Sequence, residues 1–552
     1  MRKSQILGLA AATVAGLSLA ACSSSSSGSS NVTGGLPSGV SLPAARVKSL
    51  SSSSPAWKAD TGHAKTLTWF VDQTWWNTNF GSDLVTKTIE KDLNVKINFV
   101  VGDDTKLATY FASGQLPDLI TNDSMTNQAA QTASKWALPL QTLANKYDPY
   151  FNTVAASQTM DWYKMSNGYT YGYPNYSNTS ADYKSGKIMP ETGFVIRKDI
   201  YDALGKPDMS TPDKFVAVMK EIKAKYPNLI TFGFSDAAQK LQDMLGVPYY
   251  QNGKWVDRTE DPDYLKWLDA FRQVHAFGGI SDDQFNTSSN TTAQNISSGK
   301  YAAYFEGQAI NDSASFQQLL ANHPDEQYTA VTAIKSTEGR KPVLSQAGIS
   351  GWLSTYITKD CKDPEAAIEL ESFLLSDEGQ MLVNYGVKGQ TYTQSSDGKV
   401  TINPTVSALM QSNPTAAAKQ YNLGGFILFG HDRYKALDPS AAFAPALTTF
   451  FDWGKGYLTS EFPSENVAPA ANTVEARNYL AITDPSLGIQ TKLPADLIRA
   501  SSESQFKSVL SNYETGLKNY NWEGIKTDFN KQVQANLKKL GMSSTASTVS
   551  GQ

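Results

Sequence analysis

The chain has 552 residues, 40% of them hydrophobic, with a formal net charge of -4. It is long enough for two or more domains with a large core, and it lacks the basic excess that a nucleic-acid partner requires. With two cysteines, Cys22 and Cys361, no intramolecular disulfide is available if Cys22 is acylated, so stability must come from the core.

Residues 1–21 read as a signal peptide: Arg2 and Lys3 are the basic start, 6–19 is apolar, and small residues lead to Cys22. The apolar run is too short and too rich in Ala and Gly to span a membrane. Leu19, Ala20, Ala21 and Cys22 resemble the bacterial lipobox, which implies cleavage before Cys22 and an acylated, diacylglycerol-bearing sulfur; the alternative is an ordinary secretory peptide with an incidental cysteine. Residues 22–64, rich in Ser and Gly, are expected to be a tether that does not fold. No later apolar run is long enough to cross a bilayer, which would leave the lipid as the only anchor.

The segment 66–71 alternates Leu67, Trp69 and Val71 as a strand does, 84–93 puts Val85, Ile89 and Leu93 on one helical face, and 96–101 alternates again. This is a βαβ unit, expected to be parallel and right-handed. A helix through Leu107, Tyr110 and Phe111 then leads to a third strand, 118–121. In open α/β sheets ligands bind beyond the carboxyl ends of the strands. Here those ends run into Asp72 to Trp76, into Gly102, Asp103 and Asp104, and into Asn122 and Asp123.

Residues 169–199 read as the first crossover between lobes: strand-like runs at 169–173 and 192–196 flank a Ser/Asn-rich excursion, 175–189. That excursion is expected to tune ligand choice and to be dispensable for folding. Helices are predicted to start at Pro212 and Pro262, with stripes Phe215, Val218, Met219, Ile222 and Tyr264, Leu268, Phe271, His275. A strand at 301–305 delivers Glu306, Gly307 and Gln308, and 343–356 reads as the return crossover. A strong helix starts at Pro364, a second runs to Gly386, and the remainder is mostly helical to 540, with a frayed end.

Several segments together resemble extracellular solute-binding lipoproteins of carbohydrate ABC importers, in the group related to alginate- and oligosaccharide-binding proteins. Its carriers are GQLPDL at 114–119, ETGFVIRKDIYDALGK at 191–206, DYLKWLDAFRQVHAFGGIS at 263–281, SGKYAAYF at 298–305, and the region 363–392, which includes FLLSDEGQMLVNYGVKGQTY. The resemblance implies an α/β, two-lobed periplasmic-binding-protein-like fold with a central ligand cleft. The lobes would take 65–173 with 349–389, and 174–348 with 390–541, leaving 542–552 as a tail. It also implies an oligosaccharide ligand, an ABC permease as partner, a monomer, and a position on the outer face of the cell membrane. No D-x-[DN]-x-[DN]-G run is present, so no calcium loop is carried over, and no cofactor or metal is expected.

Sugars present apolar faces edged by hydroxyls, so a cleft for them needs flat aromatics with planar or charged hydrogen-bonding groups. With 26 Tyr and 11 Trp to choose from, the candidates are those at strand ends, crossovers and Gly-flanked loops. They are Trp75, Trp76, Asn122, Asp123, Tyr173, Glu191, Glu306, Gln308, Trp352, Arg433 and Trp453. Each has a plain structural alternative: packing for the tryptophans, capping for Asp123, ion pairs for Glu191 and Arg433. An enzyme is disfavoured, because there is no H-E-x-x-H, no phosphate loop, and GISGW at 348–352 misses the nucleophile elbow by one glycine. A surface polysaccharide-degrading enzyme and a peptide-binding lipoprotein remain the alternatives.

Overall fold

The computed structural model describes residues 34–550 apart from 189, 191, 308–311, 346–347, 427 and 436–444. Its two larger sheets use strands β1 (Lys65–Val71), β2 (Val95–Val101), β3 (Leu119–Asn122), β4 (Gly172–Pro174), β5 (Gly193–Arg197), β6 (Ile230–Phe234), β7 (Tyr301–Glu306), β8 (Tyr328–Ala330) and β9 (Ser354–Ile357). The first sheet is five-stranded, in the order β2-β1-β3-β9-β4, and the second is four-stranded, β8-β5-β7-β6. The fold is α/β and two-lobed, as the sequence indicates.

The first lobe starts from the predicted βαβ unit. Strands β1 and β2 pair in parallel from Lys65↔Val95 to Val71↔Val101, and the intervening helix is Leu84–Leu93. Asp83 caps that helix by accepting from the Thr86 amide, and Asn94 ends it in the left-handed region at φ 49°. Val85, Ile89 and Leu93 are buried beneath the sheet with Leu67 and Trp69. Each such side chain is worth roughly 1.5–3 kcal/mol when fully buried.

The second lobe is built the same way from different material. Helices Pro212–Lys225 and Pro262–Ala276 carry Pro at their first turns and pack Phe215, Met219, Ile222, Trp267 and Phe271 against Phe232 of β6. His275 lies on that second helix with Nε2 3.1 Å from Asp282, a face residue as expected. Strand β5 runs antiparallel to β7, while β6 is parallel to it.

Three chain segments pass side by side between the lobes. The Asn175 amide donates to the Leu353 carbonyl, and its side-chain Oδ1 accepts from the amides of Trp352 and Leu353. The amide of Asn178 donates to Gly348, and that of Gly430 to Asn175. The excursion at 175–189 is therefore not a dispensable surface loop: Asn175, Ser177 and Asn178 are buried, and a capping box between Thr179 and Asp182 starts the helix Ser180–Lys184. Its polar composition answers hydrogen bonds inside the hinge. The pass ending at Gly430 and His431 had no sequence signal beyond a Gly-rich interruption.

Three boundaries differ from expectation. From residue 34 the supposed tether is docked: Thr142 and Tyr171 donate to the carbonyls of Gly34 and Gly35, Tyr147 to that of Pro43, and Trp57 is in the core. Arg46 clamps it, with Nη2 2.8 Å from Asp60 and Nη1 2.7 Å from Asp363. Sparse anchors at long spacing achieve what mean composition concealed. The first lobe also extends past 389, because Phe426, Leu428 and Phe429 join its core and the hairpin Tyr392–Gln394/Val400–Ile402 packs on Tyr385. The chain end is not frayed up to 550: the Thr548 amide donates to Tyr250 and the Gly253 amide to Ala546.

Candidate functional site

Because β1, β2 and β3 are parallel, their carboxyl ends open on one edge. Each end delivers an acid. Asp72 follows β1 and is 3% exposed; Asp104 opens the helix Asp104–Ser113; Asp123 follows β3. Asp103 is used locally, accepting the amides of Thr105 and Lys106 at 3.1 Å as the helix cap. Carboxylate oxygens of Asp72, Asp104 and Asp123 all lie within 4.8 Å of one another. With Gln73, Thr74 and Gly102 they line a cavity of about 270 Å³. Burial, and then the charges of Asp123 and Asp104, push the Asp72 carboxyl up to about 7, although the Asp123 amide opposes the shift. Asp123 is raised as well, by burial first and then by Asp104.

Beside this acidic edge stands an aromatic one. Trp75 is 59% exposed and Trp352 45% exposed, and their rings stack with centroids 6.2 Å apart at 30°. The Trp75 Nε1 donates to Gln73 at 2.8 Å, which ties the ring to the loop that leaves β1. Trp352 is presented by the turn at Gly351, whose φ of 63° suits glycine, and its amide is held by Asn175. Together the two rings leave an apolar face open to solvent.

The other first-lobe candidates are interior. Trp76 is buried edge-on against Phe99 and Phe426, 5.7 and 5.8 Å between centroids, because successive residues leaving a strand point opposite ways. Tyr173 is buried between Phe151 and Phe429, and its hydroxyl accepts from the Ala156 amide at 3.1 Å. The buried amide of Asn122 exchanges 3.0 Å hydrogen bonds with Asn127 and shapes the loop after β3.

On the second lobe, Glu306 ends β7 in a buried position, with Ser235 Oγ 3.5 Å from its Oε1. Trp453 is half-buried, donates from Nε1 to Thr332 at 3.2 Å and leans on Tyr457. Arg433 lies 3.6 Å from Asp182 and 5.1 Å over the Tyr434 ring, so it braces the hinge. Glu191 and Gln308 lie outside the described residues. Of the first-lobe candidates, the structure gathers Trp75, Trp352 and Asp123 at one edge. Sequence reasoning noted Asp72 and Asp104 at the strand ends but left them off the candidate list, although an acid within three residues of the end of each parallel strand was the available signal.

The model of the family described as bacterial extracellular solute-binding protein matches residues 73–381, more than half of the chain. The chain belongs to that family. As a solute-binding protein it binds rather than transforms, so it is not an enzyme, and the family is extracellular. Among the described residues, no helix is long and apolar enough to cross a membrane. No curated protein matches by sequence. Solved structures with the same fold include the alginate-binding protein AlgQ2 without calcium ion, 16% identical with TM-score 0.62, covering 85% of this chain and 98% of that one. The Streptococcus pneumoniae substrate-binding protein FusA, in complex with kestose, is 17% identical with TM-score 0.64, at 85% and 100% coverage. A solute-binding protein from Bifidobacterium longum infantis, described as binding HMO, is 13% identical with TM-score 0.61, at 85% and 99%.

Proposed function

We propose that this solute-binding protein captures an oligosaccharide between its lobes and delivers it to an ABC importer permease, held at the outer membrane face by a lipid on Cys22. The observation that carries the reading is the exposed Trp75–Trp352 stack beside hydrogen-bonding acids at the strand ends. Flat aromatic faces meet the C–H faces of sugar rings, and carboxylates take their hydroxyls. Its structural neighbours, an alginate-binding protein, a kestose complex and an HMO-binding protein, support the class. Ligand that touches both lobes would shift a hinge equilibrium toward the closed form, and a permease would read that form. On this reading Glu306 would complete the contact from the second lobe, and the protein acts as a monomer.

A thermal-shift screen with neutral, uronic and amino-sugar oligosaccharides, alongside peptides, tests the reading. A ligand that binds only the native state raises the melting temperature by mass action. One saccharide class is expected to stabilise and peptides are not. Stabilisation by peptides alone would overturn the ligand class.

A further inference from the structure

The acidic edge does more than offer hydrogen-bond acceptors. Asp72, Asp104 and Asp123 bring three carboxylates within 4.8 Å of one another, and among the described residues no ion pair neutralises any of them. The nearest basic side chain in sequence, Lys106, spends its ammonium on the Val101 carbonyl at 3.0 Å. Independently of the clustering, Asp72 is only 3% exposed, and its Oδ2 has no hydrogen-bond partner. A buried carboxylate oxygen normally finds a partner, and the Asp72 residue lines the cavity in which the other two acids sit.

The geometry points to a divalent-cation site, formed by Asp72, Asp104 and Asp123, whose remaining coordination positions are filled by oxygens of the bound ligand. The donor set is all oxygen, with neither His nor Cys, which selects hard cations and calcium above all. Calcium–oxygen distances are about 2.3–2.6 Å, so oxygens on opposite sides of one ion are separated by about 4.8 Å. The span of the cluster fits one ion. Calcium takes about 6–8 oxygens, and three carboxylates cannot supply them all. The cavity of about 270 Å³ leaves room for water and for vicinal hydroxyls or a uronate carboxylate. The ligand-bridging half of this inference rests on the proposed saccharide function; the cation site does not.

The test is calorimetric titration of the full chain, stripped with EDTA and dialysed, using calcium chloride and, separately, magnesium chloride. One calcium ion per chain is expected, with binding weakened at least tenfold in Asp72→Asn and in Asp104→Asn. The second variant changes an exposed residue, so a folding defect in the first does not spoil the test; Asp213→Asn, on the second lobe, should bind as the wild type does. No calcium binding up to about 10 mM, above the range of extracellular calcium modules, overturns the site. So does binding left unchanged in both variants. The saccharide screen is then repeated in calcium and in EGTA. A response lost in EGTA supports the bridge, and an equal response in both overturns it. Calcium binding without any saccharide response refutes the oligosaccharide reading and leaves the cation site standing.

Discussion

At the carboxyl edge of the first sheet, Asp72, Asp104 and Asp123 crowd together with no ion pair among the described residues, and Trp75 and Trp352 stand in solvent. At the matching edge of the second sheet, Ser235 approaches Glu306 and receives the Gly307 amide at 2.7 Å, while the Thr192 hydroxyl donates to the Gly307 carbonyl at 3.0 Å. The difference follows from strand direction. Three parallel neighbours, β2, β1 and β3, all end on one edge and stack their loops there. In the second sheet antiparallel β5 begins where β7 ends, so Thr192 can satisfy the carbonyl of Gly307. Among the described residues, the first edge reaches outward and the second is largely self-contained.

That contrast can be broken most forcefully in the second core. Trp267 is fully buried there with Phe215 and Phe271, and Trp267→Ala is expected to cost about 3–5 kcal/mol in denaturant unfolding. Such a loss should leave the Trp75 and Trp352 surface of the folded protein unaltered. Next in size, Arg46→Ala strips the docked N-terminal segment of its clamp and strands Asp60 and Asp363 without it, for about 2–3 kcal/mol by the same measurement. A change below about 0.5 kcal/mol would mean that the segment is not part of the fold.

On the outward-facing side the expected effects fall on binding rather than stability. Trp75→Ala and Trp352→Ala should each weaken saccharide affinity about tenfold, roughly 1–2 kcal/mol, with the melting temperature nearly unmoved. Trp453→Ala, at a half-buried position bonded to Thr332, should do the reverse. Equal affinity losses at all three would erase the asymmetry between the lobes.

The smallest effect concerns the hinge. Glu465 accepts the Ser350 amide at 2.9 Å and its hydroxyl at 2.6 Å on the return crossover. Burial, then the nearby charge of Glu461, pushes its carboxyl up from 4.5 to about 7. A carboxyl raised in the folded state binds its proton more tightly there than in the unfolded chain. Its contribution is therefore complete below about 4.5 and is lost as pH rises to about 7. Glu465→Gln should flatten that part of the melting profile, so that the wild type loses more stability than the variant between pH 5 and 8.

Local pattern made much of this legible. The βαβ unit lies within a residue of its predicted bounds, and Pro-initiated helices at Pro212, Pro262 and Pro364 formed as read, because periodicity and capping act over a few neighbouring residues. The strand-end rule led to the acidic edge and to Trp75. It could not separate Trp75 from Trp76, or tell that Tyr173 and Asn122 face inward, since adjacent residues differ only in which side of the chain meets a distant neighbour such as Phe426 or Asn127.

By itself, then, the sequence determined the α/β elements, their order, two of the crossovers and the family resemblance, all carried by local signals. The tertiary structure decided the rest. It docked residues 34–64 through Arg46 and tyrosine hydroxyls, brought Gly430 beside Asn175, and placed Asp72, Asp104 and Asp123 within 4.8 Å although they come from three separate loops. Contacts between residues tens to hundreds of positions apart leave no periodic trace in a single chain, because each depends on where the sheet sets the partner rather than on what stands next to it.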